Sequence, residues 1–149
     1  MNTDEINRIL RVRCGGTFLG TFASDRLPAR LPPKRPLFLV CNTDPHTRRG
    51  QHWIAMFIDK DGRGEYFDSL HQDALPAFAR YLDERCVSWK TNSRQLQSAA
   101  SRFCGQYCVF YCMFRNLDFD LARIESCFTE DTGVNDAFVH GIICQIIKF

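Results

Sequence analysis

The stretch from Cys104 to Arg115 constrains this chain more than any other. Tyr107, Cys108, Val109, Phe110, Tyr111, Cys112, Met113 and Phe114 leave it without a polar face. It is too short to cross a bilayer. A helix that is apolar on nearly every side has to be enclosed, so the rest of the chain must supply layers around it. Strand signals provide one layer. Leu37–Cys41 is a short apolar run. His52–Ile58 is another, joined to Glu65–Ser69 through Asp59-Lys60-Asp61-Gly62-Arg63-Gly64, whose Asp and Gly residues supply turn conformations. Residues 52–69 therefore read as a β-hairpin, and Cys86–Trp89 as a further short strand. Helices are expected over residues 3–11, capped by Asn2 with Glu5 at its third position, over Ala74–Leu82, and over 134–148, where Val134, Phe138, Ile142 and Ile146 form a stripe. The result is an α+β chain, a central mixed sheet flanked by helices, with Cys104 at the N-terminus of the buried central helix.

The 149 residues suit one domain, 1–149, which can bury enough apolar surface to fold without a metal or a disulfide staple. Pro28, Pro32, Pro33 and Pro36 make Leu27–Pro36 an extended loop. No apolar run approaches a membrane span. Met1–Leu10 is polar and charged, unlike a secretory leader, so the eight cysteines are expected to be reduced, in an intracellular and not a secreted protein. No Cys-x2-Cys pair is present, and cysteines spaced by four along one helix give a poor tetrahedron, which argues against a metal site. Charge is uneven: residues 1–50 hold nine Lys/Arg against four Asp/Glu. That basic half could meet DNA or an acidic partner, or form a solvated face. Aromatic residues are sparse among those charges, so stacking of single-stranded bases is weakly supported.

A cysteine peptidase needs a thiolate, a base beside it, a group fixing the base's tautomer, and donors for an oxyanion. Cys104 opens the buried helix, where free N–H groups and the dipole favour a thiolate. Gly105 follows and would let a substrate carbonyl approach the backbone. Cys108 and Cys112, on the same stripe, read as core. His52 begins a strand directly after Gly50-Gln51, with Trp53 on the opposite face. His46, His71 and His140 lack a comparable setting. Asp68 lies at the end of the return strand, so it meets His52 at the open end of the hairpin. Glu65 lies at the wrong end. Gln97 stands seven residues before Cys104, with Gln95 as a rival that spacing separates poorly.

Gln51-His52-Trp53, Tyr66-Phe67-Asp68, Gln97 and Cys104-Gly105, in that order, resemble the cysteine-peptidase clan that contains the adenovirus and SUMO proteases. The nearer likeness is to the adenovirus proteases (adenain). Cys14-Gly15-Gly16-Thr17-Phe18-Leu19-Gly20-Thr21 is similar to that family's N-terminal segment, and Cys41-Asn42-Thr43, Arg85-Cys86-Val87 and Ser98-Ala99-Ala100 fit as well. This alignment puts Gln97, not Gln95, on the oxyanion glutamine. The acid is Asp68, as in the SUMO proteases, where adenoviral members usually have Glu.

The resemblance implies a papain-like or adenain-like cysteine proteinase fold and an endopeptidase cutting after Gly in Gly-Gly or Gly-X sites. Trp53 and Gly50 would line a narrow glycine tunnel. The biological role would be processing of viral precursors during virion maturation, in the virion and host nucleus. No cofactor is required for the chemistry. The family's activators would be a peptide, disulfide-linked through a cysteine matching Cys86, and DNA, met by the basic half. The short stretch after Cys104 raises the expectation of a smaller enzyme working without them. Two alternatives are a SUMO- or ubiquitin-type isopeptidase and a small metal- or nucleic-acid-binding module.

Overall fold

A computed structural model describes residues 1–148. The elements run α1 (Thr3–Cys14), β1 (Phe18–Phe22), β2 (Leu37–Asn42), β3 (Trp53–Ile58), β4 (Arg63–Phe67), α2 (Pro76–Arg85), β5 (Ser88–Thr91), α3 (Cys104–Asn116), α4 (Leu121–Glu125) and α5 (Thr132–Ile147). The strands form one mixed sheet in the order β1-β2-β3-β4-β5. The two outer pairs are parallel and the two inner pairs antiparallel. Helix α2 makes the crossover that the parallel pair β4–β5 requires.

Period-two alternation sorts the strands onto two cores. Phe38, Val40, Ala55, Phe57 and Phe67 face α1, α3 and α5. Leu39, Cys41, Ile54, Met56 and Tyr66 face the other way, onto Phe78, Tyr81 and Leu82 of α2. The apolar helix α3 is enclosed as its composition demands, with Tyr107 through Cys112 all buried. A charged attachment of this helix is internal. Arg115 grips Glu65 with Nε and an Nη at 3.0 and 3.1 Å, while Tyr111 donates to the same carboxylate at 2.6 Å. Glu65 is thus a structural acid tying α3 to β4.

Several boundaries differ from expectation. Helix α1 has the reciprocal Asn2–Glu5 cap but runs to Cys14, where Gly15 takes a positive φ of 58°. Strand β1 was not anticipated, because its Gly20 interrupts the strand pattern and its pairing partner β2 is distant in sequence. The short helix α4, N-capped by Asp120, was also missed. In α5 the expected stripe holds in part: Ile142 and Ile146 pack against the core. Val134 and Phe138 are exposed, and Asn135, Asp136, Val139 and Ile143 are buried instead. Two polar residues lie on the inner face because they have partners there: Asn135 donates to Leu96 O at 3.0 Å, and Asp136 accepts from Tyr107 Oη at 2.8 Å.

Candidate active site

His52 immediately precedes β3 and Asp68 immediately follows β4. Because β3 and β4 are antiparallel, both residues reach the same end of the sheet. There His52 Nε2 lies 2.7 Å from Asp68 Oδ1, with side chains 11% and 4% exposed. The His52 carbonyl accepts from Thr43 N–H at 2.9 Å, which fixes the ring's base. With Nε2 committed to the carboxylate, Nδ1 is the nitrogen left to act on Cys104, whose thiol the ring lowers.

The titration of the pair follows from its surroundings. Burial lowers the His52 pKa, but the hydrogen bonds from Asp68 and Cys104 and their charges outweigh it and hold the imidazole at about 9. Burial pushes the Cys104 thiol up. Hydrogen bonds from His52 and from the backbone N–H groups of Trp53 and Gly105, together with the His52 charge, overcome this and bring it below its ordinary value. No side chain caps the N-terminus of α3, and the Gly105 N–H in its first turn acts on the sulfur. The contrast with the other buried thiols is sharp. Cys14 is raised to about 11, and Cys41, Cys108 and Cys112 rise further, all by burial alone or chiefly by burial. These surroundings favour the thiolate of Cys104 and the imidazolium of His52 relative to the free groups.

The loop between β5 and α3 completes the arrangement. Asn92, buried and not foreseen from sequence, clamps the main chain of the acid: its Oδ1 accepts from Asp68 N–H at 2.9 Å and its Nδ2 donates to Asp68 O at 2.8 Å. The Asp68 carboxylate also accepts backbone N–H groups of Leu70 and Gln72. The Ser69 carbonyl accepts from the N–H groups of both Leu96 and Gln97. Gln97 is 1% exposed, whereas Gln95 is exposed and its Nε2 donates to the Gln97 carbonyl at 2.8 Å. The Gln97 carboxamide is oriented at both ends, its oxygen accepting from Ser69 Oγ at 2.7 Å and its nitrogen donating to Ser101 O and Oγ at 3.1 Å. Asp68-Ser69 is therefore stapled to the segment that leads into Cys104.

A cleft of about 1200 Å³ runs from Cys104 past Trp53 and Gly50 to Met1, Asn2, Thr3, Arg48, Arg49 and Arg102. The Trp53 indole N–H donates to the Met1 carbonyl at 3.2 Å. A Cβ on Gly50 would overlap the Asn42 amide. A Cβ on Gly105 would lie 2.8 Å from Met1 Cβ and 3.4 Å from Trp53 Cδ1. Gly105 is thus required for the packing of α1 and Trp53 against α3, a reason different from the access for a substrate carbonyl expected above. Cys86 closes α2 half-buried, its Sγ against Gly64 and its thiol raised by burial. His46 is engaged by Asp25 and Arg26. His140, remote in sequence, stacks on Phe103 beside the nucleophile and lies 3.5 Å from Cys144. Among the described residues no cluster of His, Cys, Asp and Glu is arranged to hold a metal ion, and no helix is long and apolar enough to cross a membrane.

A mixed sheet that holds His and an acid at one end, against a cysteine opening a buried helix, is the fold of the cysteine-peptidase clan that includes the SUMO proteases. In sequence the chain resembles the adenovirus proteases. It is 32% identical to the protease of Bovine adenovirus 4 over 115 residues, which is 66% of this chain and 57% of the relative. Among solved structures, the ASFV pS273R protease superposes with a TM-score of 0.65 at 19% identity, over 93% of this chain and 66% of that one. The SUMO protease Ulp1 gives 0.52 at 14% identity, over 98% and 78%. No protein-family model matches the chain. The chain spans between 54% and 59% of the length of the adenovirus proteases it matches.

Proposed function

We propose that this chain is a cysteine endopeptidase that cleaves after Gly in Gly-Gly or Gly-X sites and processes viral precursor proteins during virion maturation. The observation that carries the reading is the alignment of Asp68, His52 and Cys104, with the Cys104 thiol lowered while the neighbouring buried thiols are raised. Similarity to adenovirus proteases supports the viral setting, in the virion and host nucleus. In this mechanism the Cys104 thiolate attacks the scissile carbonyl. The oxyanion is received by N–H groups at the start of α3 and by Gln97, which gives up a hydrogen bond to Ser101 to reach it. The His52 imidazolium gives its proton to the departing amine, leaving a thioester. Neutral His52 then takes a proton from water, whose oxygen displaces Cys104 and frees the carboxylic acid. Asp68 holds the ring and stabilises its charge throughout. Trp53 and Gly50, both lining the cleft, restrict the residues beside the scissile bond to glycine. The same reading gives Cys86 as the attachment point of an activating peptide and the basic N-terminal half as a DNA contact.

A peptide vinyl sulfone ending in Gly tests the assignment. Stoichiometric modification at Cys104, found by mass spectrometry and lost in His52→Ala, is expected. An unmodified Cys104, with the activating peptide and DNA supplied, refutes it. Efficient cleavage of a ubiquitin-like fusion with no cleavage of short Gly peptides would instead identify an isopeptidase.

A further inference from the structure

The cleft beside Cys104 carries charge that the proposed chemistry leaves unused. Arg48 and Arg49 reach it from the loop before His52, and Arg102 reaches it from the turn before Cys104. All three are exposed, and among the described residues none of the three guanidiniums is in a salt bridge. Other charges on the same walls have hydrogen-bond partners. Glu5 accepts from the Asn2 backbone in the cap of α1, and His46 is paired with Asp25. A hydrogen bond to the backbone leaves the charge of Glu5 in place, so two lining carboxylates, Glu5 and Asp44, stand against the three guanidiniums among the described residues. Like charges gathered in one concavity focus their field there, where scattered surface arginines would each be screened.

Resting on the peptidase reading above, we infer that Arg48, Arg49 and Arg102 select substrates carrying acidic side chains close to the scissile glycine. A peptide chain lying over Cys104 and Trp53 passes along the wall these residues form. Guanidinium forks match carboxylates in two-point geometry, so acidic side chains gain both charge and direction. A nucleic-acid duplex fits the observations less well, because the three arginines share a recess with the nucleophile and are not spread over an open face.

The test uses fluorescent peptides with one Gly-containing core, flanked by Glu, Gln or Lys. Binding to the Cys104→Ala protein is read by anisotropy, and cleavage by the active protein is read separately. Glu-flanked peptides are expected to bind about tenfold more tightly than Gln-flanked ones at low salt, as several rim ion pairs acting together allow. That advantage should shrink as salt is raised and collapse toward one in the R48Q/R49Q/R102Q triple variant. Cleavage with equal affinity for Glu and Gln peptides overturns the inference and leaves the peptidase reading standing. An acidic preference in binding with no cleavage and no labelling of Cys104 keeps the surface but removes the peptidase reading. Tight binding of a DNA oligonucleotide that depends on the same three arginines, without any Glu preference, overturns the inference in favour of a nucleic-acid surface.

Discussion

Replacing Asp68 by Asn isolates the charge that maintains the catalytic pair. The ring of His52 is nearly enclosed and bonded to Asp68 Oδ1 at 2.7 Å. Its pKa stands at about 9 against an ordinary 6.5, although burial works to lower it. That difference corresponds to roughly 3 kcal/mol in favour of the imidazolium. Asp68 and Cys104 each contribute a hydrogen bond and a charge, with the hydrogen bond to Asp68 first among the raising causes. The sign is as follows. A histidine raised by its partners contributes stability that is complete below pH 6.5 and is lost as pH rises through about 9. Removing the carboxylate moves that upper boundary down. The amide can also donate to Nε2, which places the ring proton on Nδ1 and spoils it as a base; loss of tautomer control costs on the order of 10²–10⁴ in kcat/KM. The assay is the pH dependence of iodoacetamide alkylation at Cys104 alongside that of kcat/KM. An alkaline limb that stays near 9 in Asp68→Asn, with wild-type alkylation rates, would refute the reasoning.

Gln97→Ala is expected to reduce kcat by roughly 10²–10³, the usual cost of one oxyanion donor, with little change in Cys104 alkylation; a kcat within twofold of wild type would remove Gln97 from the mechanism. Arg115→Met leaves Glu65 buried with only the Tyr111 hydroxyl as partner, so chemical denaturation should show a loss of about 3 kcal/mol, and an unchanged midpoint would mean the ion pair contributes nothing.

Much of the site was legible from local signals. The apolar run from Tyr107 to Phe114 dictated an enclosed helix, and that in turn put Cys104 at a helix start. The hairpin signal placed His52 and Asp68 at one end because an antiparallel turn returns the chain to its origin. Val134 and Phe138 show the limit: a stripe drawn from apolar residues alone held only in part, since Asn135 and Asp136 turn inward to partners on Leu96 and Tyr107. Strand β1 escaped for a related reason, its pairing with β2 being set by contacts far away in sequence.

The sequence by itself indicated the central helix, the hairpin and most of the other elements, and picked out Cys104, His52, Asp68 and Gln97 in that setting, because each depends on periodicity, turn chemistry or motif spacing. Only the tertiary structure showed Gln97 buried and Gln95 exposed, brought Asn92 onto the backbone of Asp68, set Gly105 against Met1, and gathered Arg48, Arg49 and Arg102 around one cleft. These relations join residues distant in the chain through burial and directional hydrogen bonds, and no local pattern encodes which distant partner a side chain will meet.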